Sequence, residues 1–239
     1  MFRALLDIVF PPLCHACRAF IPGAGRLHLC PACRGEITPI VSPLCTICGV
    51  PFLTPGGIDH PCGPCIISHP RYSAARAALP FDGVTRDLIH HFKYDRKVHL
   101  AHPLALLAAE ALTPSVASWD ADLLLPVPLH RRRLRERGFN QAVLLGKPLA
   151  KLWGIPLVVN NLRRTRWTEP QVTLAAGERE LNVRGAFALV DPAAVKGRRI
   201  LLVDDVYTTG STVMECSKVL RKGGAAEIYV VTVARAVAG

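Results

Sequence analysis

Residues 198–212 read RRILLVDDVYTTGST. Residues 199–204 form an apolar strand pattern that stops abruptly at two adjacent carboxylates, Asp204 and Asp205. Thr208, Thr209, Gly210, Ser211 and Thr212 follow, and then Val213, Cys216, Val219 and Leu220 recur at helical spacing. A loop of this composition running into a helix N-terminus offers backbone N–H groups and hydroxyls to a phosphate. Two acids beside such a cradle suit a sugar phosphate: the carboxylates accept from ribose hydroxyls and the loop holds the 5′-phosphate. No Lys follows Gly210, so the pattern is not a Walker loop. The plainer reading is a capped turn with a surface aspartate pair, but charges at the end of a buried strand are site-like.

The surrounding sequence alternates strand and helix patterns. VTRDLIHHFKY places Val84, Leu88, Ile89 and Phe92 at helical spacing, and residues 100–112 continue as a second apolar helix. ADLLLPVP reads as a short buried strand, and residues 140–153 as a helix ended by Gly154 and interrupted at Pro148. RGAFALV and EIYVVTVAR read as further strands, the helix before the latter ending at Gly223-Gly224. Strands alternating with helices imply an α/β fold with a parallel sheet covered on both faces, where ligands bind beyond the carboxyl ends of the strands. Cys216 falls on an apolar stripe and is expected in the core.

The chain has 239 residues, half of them hydrophobic, and a formal net charge of +11. That charge suits a polyanionic partner and equally an ordinary basic protein. No uninterrupted apolar run reaches the ~18 residues of a membrane span. The opening MFRALLDIVFPPLC reads as a short amphipathic helix stopped by Pro11 and Pro12, without the features of a signal peptide, which points to a cytoplasmic protein.

Eight of nine cysteines precede residue 66, which divides the chain into a Cys-, Pro- and Gly-rich module at 1–70 and an α/β domain at 71–239. The eight form C-x-x-C pairs: Cys14/Cys17, Cys30/Cys33, Cys45/Cys48 and Cys62/Cys65, separated by 12, 11 and 13 residues. Two such turns supply the tetrahedral Cys₄ set that structural zinc prefers, and four pairs make two sites. A disulfide framework is the alternative, and it needs an oxidising compartment that nothing in the sequence indicates. Gly49, directly after Cys48, eases the turn that aims N–H groups at sulfur. Sequential pairing gives two zinc ribbons and interleaved pairing a cross-brace; sequential pairing closes shorter loops and is favoured. His15, His28, His60 and His69 read as solvated rather than ligating. With eight thiolates and no open position, the expected zinc is structural.

The acid pair and its loop resemble the phosphoribosyl pyrophosphate (PRPP) motif of type I phosphoribosyltransferases. More of the chain is similar to the ComF family: the paired C-x-x-C module, LPVPLHRRRLRERGFNQ, ERELNVRGAF and RILLVDDVYTTGST. The resemblance implies a type I phosphoribosyltransferase-like parallel sheet flanked by helices, preceded by a small double zinc ribbon. It implies PRPP, or a related phosphorylated ribose, bound with Mg²⁺, and a link to DNA uptake in natural transformation, with competence-machinery proteins as partners. It leaves the reaction open.

Arg137-Gly138-Phe139 resembles the pyrophosphate loop of the same superfamily, Arg137 holding an anionic oxygen and Gly138 letting the backbone approach. Arg131, Arg132, Arg133 and Arg135 are more charge than one pyrophosphate needs. They read either as a solvated basic loop or as contacts to a nucleic-acid backbone. RRTRWTEPQVTLAAGERELNV corresponds to a mobile loop that closes over the site in the superfamily. Its Arg163, Arg164, Arg166 and Trp167 suit single-stranded nucleic acid, or a surface loop with one packed Trp. In enzymes of the superfamily that use 6-oxopurines, a general-base Asp stands four positions after the first acid; Thr208 stands there in this chain, which disfavours that reaction. Two functions remain open. One is a DNA-uptake protein that handles single strands and binds a PRPP-type ligand. The other is a phosphoribosyltransferase acting on a small acceptor.

Overall fold

The computed structural model describes residues 11–22, 25–54, 56–167 and 181–237. The helix expected at the extreme N-terminus and the 168–180 part of the long polar segment lie outside the described residues. Four parallel strands form the central sheet: β1 (Ala74–Pro80), β2 (Leu123–Pro126), β5 (Arg199–Tyr207) and β6 (Glu227–Arg235), in the order β1-β6-β5-β2. β3 (Leu162–Arg164) and β4 (Phe187–Leu189) form a separate antiparallel pair. The RGAFALV strand expected in the parallel sheet therefore lies outside it. Its place is taken by β1, which the sequence reading missed.

β5 is interior, paired to β6 on one side and β2 on the other, and Ile200, Leu201, Leu202 and Val203 are all buried. Its side chains alternate between two cores. Leu201 and Val203 pack with α3 (Gly83–Tyr94), α4 (Ala101–Trp119) and α6 (Gln141–Trp153). Ile200 and Leu202 pack with α7 (Ser211–Lys222), which contributes Val213, Cys216 and Leu220, and with Leu162 and Phe187 of the antiparallel pair. Cys216 is a core residue, as expected.

The helix expected to be interrupted at Pro148 runs on, and the one expected over residues 100–112 is longer. α6 continues through Pro148, and α4 extends past residue 112 through Pro114 to Trp119. The segment Val98–Trp119 is long and apolar enough to cross a membrane by length and composition, yet half of it is buried in the fold. α4 packs against β1, β6 and α6. The arginine run is a helix rather than a loop: α5 (Arg131–Arg137) is capped at its start by the His130 side chain, which accepts from Arg132 N–H, and ends at Gly138 with φ +87°.

The cysteine-rich module, which holds the short helices α1 (Pro31–Gly35) and α2 (Gly63–Ile67), is not a separate bead. Ile37 sits in the core with α3 and α4, and Arg34 makes a two-pronged ion pair with Glu110 of α4 at 2.7 and 2.9 Å. Ile40 N–H donates to Ala78 C=O, and Ala75 N–H donates to Ile47 C=O. The outer side of β1, otherwise an open edge, is thus covered by the module. Gly49 lies so close to β1 that a Cβ on it would stand 2.4 Å from the Ala75 carbonyl oxygen, and its φ is +71°. Both facts require glycine there. Gly49→Ala is expected to cost ~1–3 kcal/mol in urea unfolding through strain alone. Gly35→Ala, where nothing lies within 4 Å of the added methyl, is the matched control and should change stability little.

Candidate functional site

β5 carries the acid pair toward the carboxyl end of the sheet and sets it in the wall of a cleft of about 610 Å³. Local backbone bonds fix both side chains: Asp204 Oδ1 accepts from Asp205 N–H at 2.9 Å, and Asp205 Oδ1 accepts from Val206 N–H at 2.7 Å. Lys93 Nζ, from the last turn of α3, lies 2.9 Å from Asp205 Oδ2. Burial and the neighbouring Asp205 charge push the Asp204 carboxyl up to about 7, against the opposing pull of Asp205 N–H and Lys93.

The loop after the acids is shaped by one contact. Gly210 has φ +80°, and a Cβ on it would lie 2.2 Å from the Tyr207 hydroxyl. Tyr207 is buried and forms the floor on which the loop turns. Thr209 Oγ1 lies 2.8 Å from Ser211 Oγ, and Ser211 begins α7. Thr208 is exposed; Thr208, Thr209, Gly210, Ser211 and Thr212 all line the cleft.

Opposite the acids, α5 divides its arginines. Arg133 and Arg137, one helical turn apart, line the cleft. Arg137 Nη1 donates to Gln141 Oε1 at 2.8 Å, and its guanidinium lies 5.5 Å from the Tyr94 ring centre. Gly138 takes the left-handed turn that links α5 to α6. Arg131, Arg132 and Arg135 are exposed. Arg132 pairs with Glu136 and lies 4.6 Å from the Trp167 ring centre, with His130 edge-on to the same ring. Two basic stretches far apart in sequence therefore meet at Trp167. Arg163 is exposed on β3, while Arg164 lines the cleft and lies over the Phe187 ring. Arg166 donates to the carbonyls of Asn182 and Arg184, tying the two ends of the long segment together.

Sequence reasoning did not single out Lys93, Tyr94 or Gln141 at the cleft. All three depend on where α3 and α6 land on the sheet, which the local pattern of FKYD or NQAV does not disclose.

The cysteines fall into two tetrads with sequential pairing: Cys14, Cys17, Cys30 and Cys33, and Cys45, Cys48, Cys62 and Cys65, the sulfurs of each within 4.8 Å of one another. None of the eight is in a disulfide. The Cys17–Cys30 and Cys48–Cys62 sulfur separations are 3.6 and 3.7 Å. A tetrahedron with zinc–sulfur bonds of ~2.3 Å has edges of about 3.8 Å. Backbone N–H groups aim at the sulfurs: Cys30 at Cys14, Cys33 at Cys30, and Cys48 and Cys62 both at Cys45. Burial alone would raise the Cys14 and Cys45 thiols, but these donors outweigh it and hold both at about 6. Burial and the crowded sulfurs raise Cys33 and Cys65 instead. Four thiolates in that space need a cation, and the donor set fits zinc. The histidines stay out of the tetrads, though not simply solvated: His15 stacks on His28 and meets His99 at a tilt, and His60 stacks on Phe52 at 4.2 Å.

A parallel sheet with an acid pair and glycine-containing loop at its carboxyl end, joined to two Cys₄ ribbons, defines a phosphoribosyltransferase-like domain with a double zinc ribbon. Family models agree, the double zinc ribbon domain matching residues 5–66 and the phosphoribosyl transferase domain matching residues 140–239. DNA utilization protein YhgH of Salmonella typhimurium is 35% identical over 93% of this chain and 96% of its own length. Competence protein F of Haemophilus influenzae is 34% identical over 89% of this chain and 94% of its own length. Competence protein ComFC of Bacillus subtilis is 26% identical over 87% and 84%. The chain belongs to the ComF family, that of competence protein F and YhgH.

Two outcomes are expected from this geometry. Metal analysis of protein purified without chelator should return two zinc ions per chain, and one or none would contradict the tetrads. The raised Asp204 carboxyl makes the fold hold a proton that the unfolded chain releases from about pH 4 upward. Its contribution to stability is therefore full below that range and is lost as pH rises through about 7. Asp204→Asn should leave stability unchanged near pH 4 and raise the urea midpoint at pH 8; a midpoint gain independent of pH would contradict the assignment.

Proposed function

We propose that the cleft binds PRPP, or a closely related phosphorylated ribose, together with Mg²⁺, and that the protein serves DNA uptake by handling single-stranded DNA in the cytoplasm. The observation that carries the ligand reading is the placement of Asp204, Asp205 and the 208–212 loop on one cleft wall, with Arg133 and Arg137 lining the same cleft. In this reading the two carboxylates accept from the ribose hydroxyls. The loop amides and hydroxyls surround the 5′-phosphate at the N-terminus of α7. Arg137, aided by Arg133, holds the pyrophosphate end. Mg²⁺ bound to the pyrophosphate would supply charge neutralisation there. Lys93 pairs with Asp205, and the high carboxyl of Asp204 means that Asp204 carries its charge only above about pH 7.

The DNA reading is supported by the exposed Arg131, Arg132 and Arg135 and by the meeting of Arg132 with Trp167. Arginine charge beside an aromatic ring is the combination that tracks a single-strand backbone and stacks its bases. The names of the relatives, competence protein F and DNA utilization protein YhgH, are consistent with the same role. A second reading, phosphoribosyl transfer to a small acceptor, is favoured by the size of the cleft, which falls within the usual range for small-molecule sites. Such a reaction needs no protein nucleophile; positioning and electrostatics carry it.

Calorimetry with PRPP and Mg²⁺ tests the ligand. Binding is expected for the native protein and its loss for Asp204→Ala/Asp205→Ala; equal affinity in both would move the ligand elsewhere. Single-stranded DNA should bind with little sequence preference and with affinity that falls steeply with salt. Arg131→Ala/Arg132→Ala/Arg135→Ala should flatten the slope of log K against log salt by about two if all three touch phosphates, at roughly 0.7 per contact. Because these three lie outside the cleft lining, PRPP binding should survive in that variant. No DNA binding by the native protein at low salt would leave the transferase reading in the lead.

A further inference from the structure

Arg235, the last residue of β6, is buried, yet no carboxylate pairs with it among the described residues. A guanidinium withdrawn from water needs hydrogen-bond partners and a counter-charge. Its partners all lie in two places. Nη1 donates to the Cys48 carbonyl at 2.6 Å, and Nη2 lies 3.7 Å from the Cys48 sulfur. The guanidinium carbon lies 4.3 Å from the ring centre of Tyr207. The counter-charge is therefore the second cysteine tetrad. Four thiolates around one divalent cation leave two negative charges in excess, and an outer-shell cation on a ligand sulfur is the usual way to hold them.

Tyr207 links that cation to the loop. Its position opposite Arg235 is set by strand register. Its hydroxyl lies 2.7 Å from the Tyr72 hydroxyl and under the Cα of Gly210. A short path of direct contacts thus runs from Cys48 through Arg235 and Tyr207 to the 208–212 loop. Among the described residues no such path leaves the first tetrad: Cys14, Ile21 and Cys33 form their own small cluster, with Val84 of α3 packed beside it.

We infer that Arg235 is a positioning residue that couples metal at the Cys45/Cys48/Cys62/Cys65 tetrad to anion binding at the 208–212 loop, while the other tetrad is uncoupled. This rests on the reading of the cleft as a PRPP site. The loaded tetrad holds Arg235, Arg235 holds the face of Tyr207, and Tyr207 fixes the turn at Gly210 that aims the loop amides inward. Coupling of this kind is reciprocal. Ligand in the cleft must tighten metal in the second tetrad by the same factor that metal there tightens the ligand.

The test uses the full-length zinc-loaded protein with excess Mg²⁺ and no chelator. Iodoacetamide is added with or without PRPP, and mass spectrometry follows alkylation at each cysteine. Cys216, buried in α7 and outside both tetrads, reports global opening. PRPP is expected to slow alkylation of Cys45, Cys48, Cys62 and Cys65 by roughly fivefold or more relative to Cys216, the scale of ordinary allosteric coupling. Cys14, Cys17, Cys30 and Cys33 should follow Cys216. Arg235→Met should abolish the selective protection, and Arg235→Lys, which keeps the charge but not the fork, should retain part of it. If calorimetry shows PRPP bound and both tetrads react alike, the coupling is wrong and the site reading stands. If PRPP does not bind the native protein, both fall. Should Arg235→Met fail to fold, the native-protein comparison still decides the coupling and Arg235→Lys decides the part of Arg235: protection equal to native in Arg235→Lys would overturn its role.

Discussion

The burial of β5 on both faces is the constraint on which the rest of the structure depends. Ile200 to Val203 can leave water only if helices cover the strand on each side and neighbours pair with it along both edges. Those covers come from α3, α4 and α6 on one face and α7 on the other. Such a strand has one place to put charge, its end. Asp204 and Asp205 stand near it, where burial and the neighbouring Asp205 charge push the Asp204 carboxyl up to about 7 while Asp205 pairs with Lys93. The site is therefore electrostatically uncomfortable without a ligand, as binding sites often are.

The zinc ribbons belong to the same construction. β1 is an edge strand of small residues, and the ribbon backbone packs directly on it through Ile40, Ile47 and Gly49. The second ribbon also shares a core with α7, with Cys45, Cys48 and Cys65 packed among Tyr72, Tyr207 and Val213. The metal-binding half thus stands behind the wall that carries the loop, and Arg235 spans the gap.

Much of this was legible in the sequence where residues are locally committed. The C-x-x-C spacing announced two tetrads, and the geometry adds that the pairing is sequential. The β5 run and the helix after Gly210 stand where they were expected, but the strand runs on past the acids to Tyr207. The failures have physical causes. β1 reads AARAALP, and alanine carries no strand signal; the small side chains are there because ribbon backbone must approach. α5 has one apolar residue, Leu134, itself exposed, so no stripe marked it as a helix; its caps, His130 and Gly138, define it instead. RGAFALV has strand character, but pairing is a tertiary choice, and it joined β3 rather than the parallel sheet. Lys93 and Arg235 were invisible because Asp205 and Cys48, which they meet, lie over a hundred positions away in sequence.

The central claim is that the end of β5 and the loop beyond it hold a phosphorylated ribose. Amide hydrogen exchange across residues 204–213, measured with and without PRPP and Mg²⁺, tests it most directly, because the proposed contacts are largely backbone N–H groups. Ligand should slow exchange at the loop amides from Thr208 to Val213, with the exposed α5 face unchanged. Bound ligand that leaves those amides exchanging freely, and protects the arginine helix or a zinc ribbon instead, would contradict it.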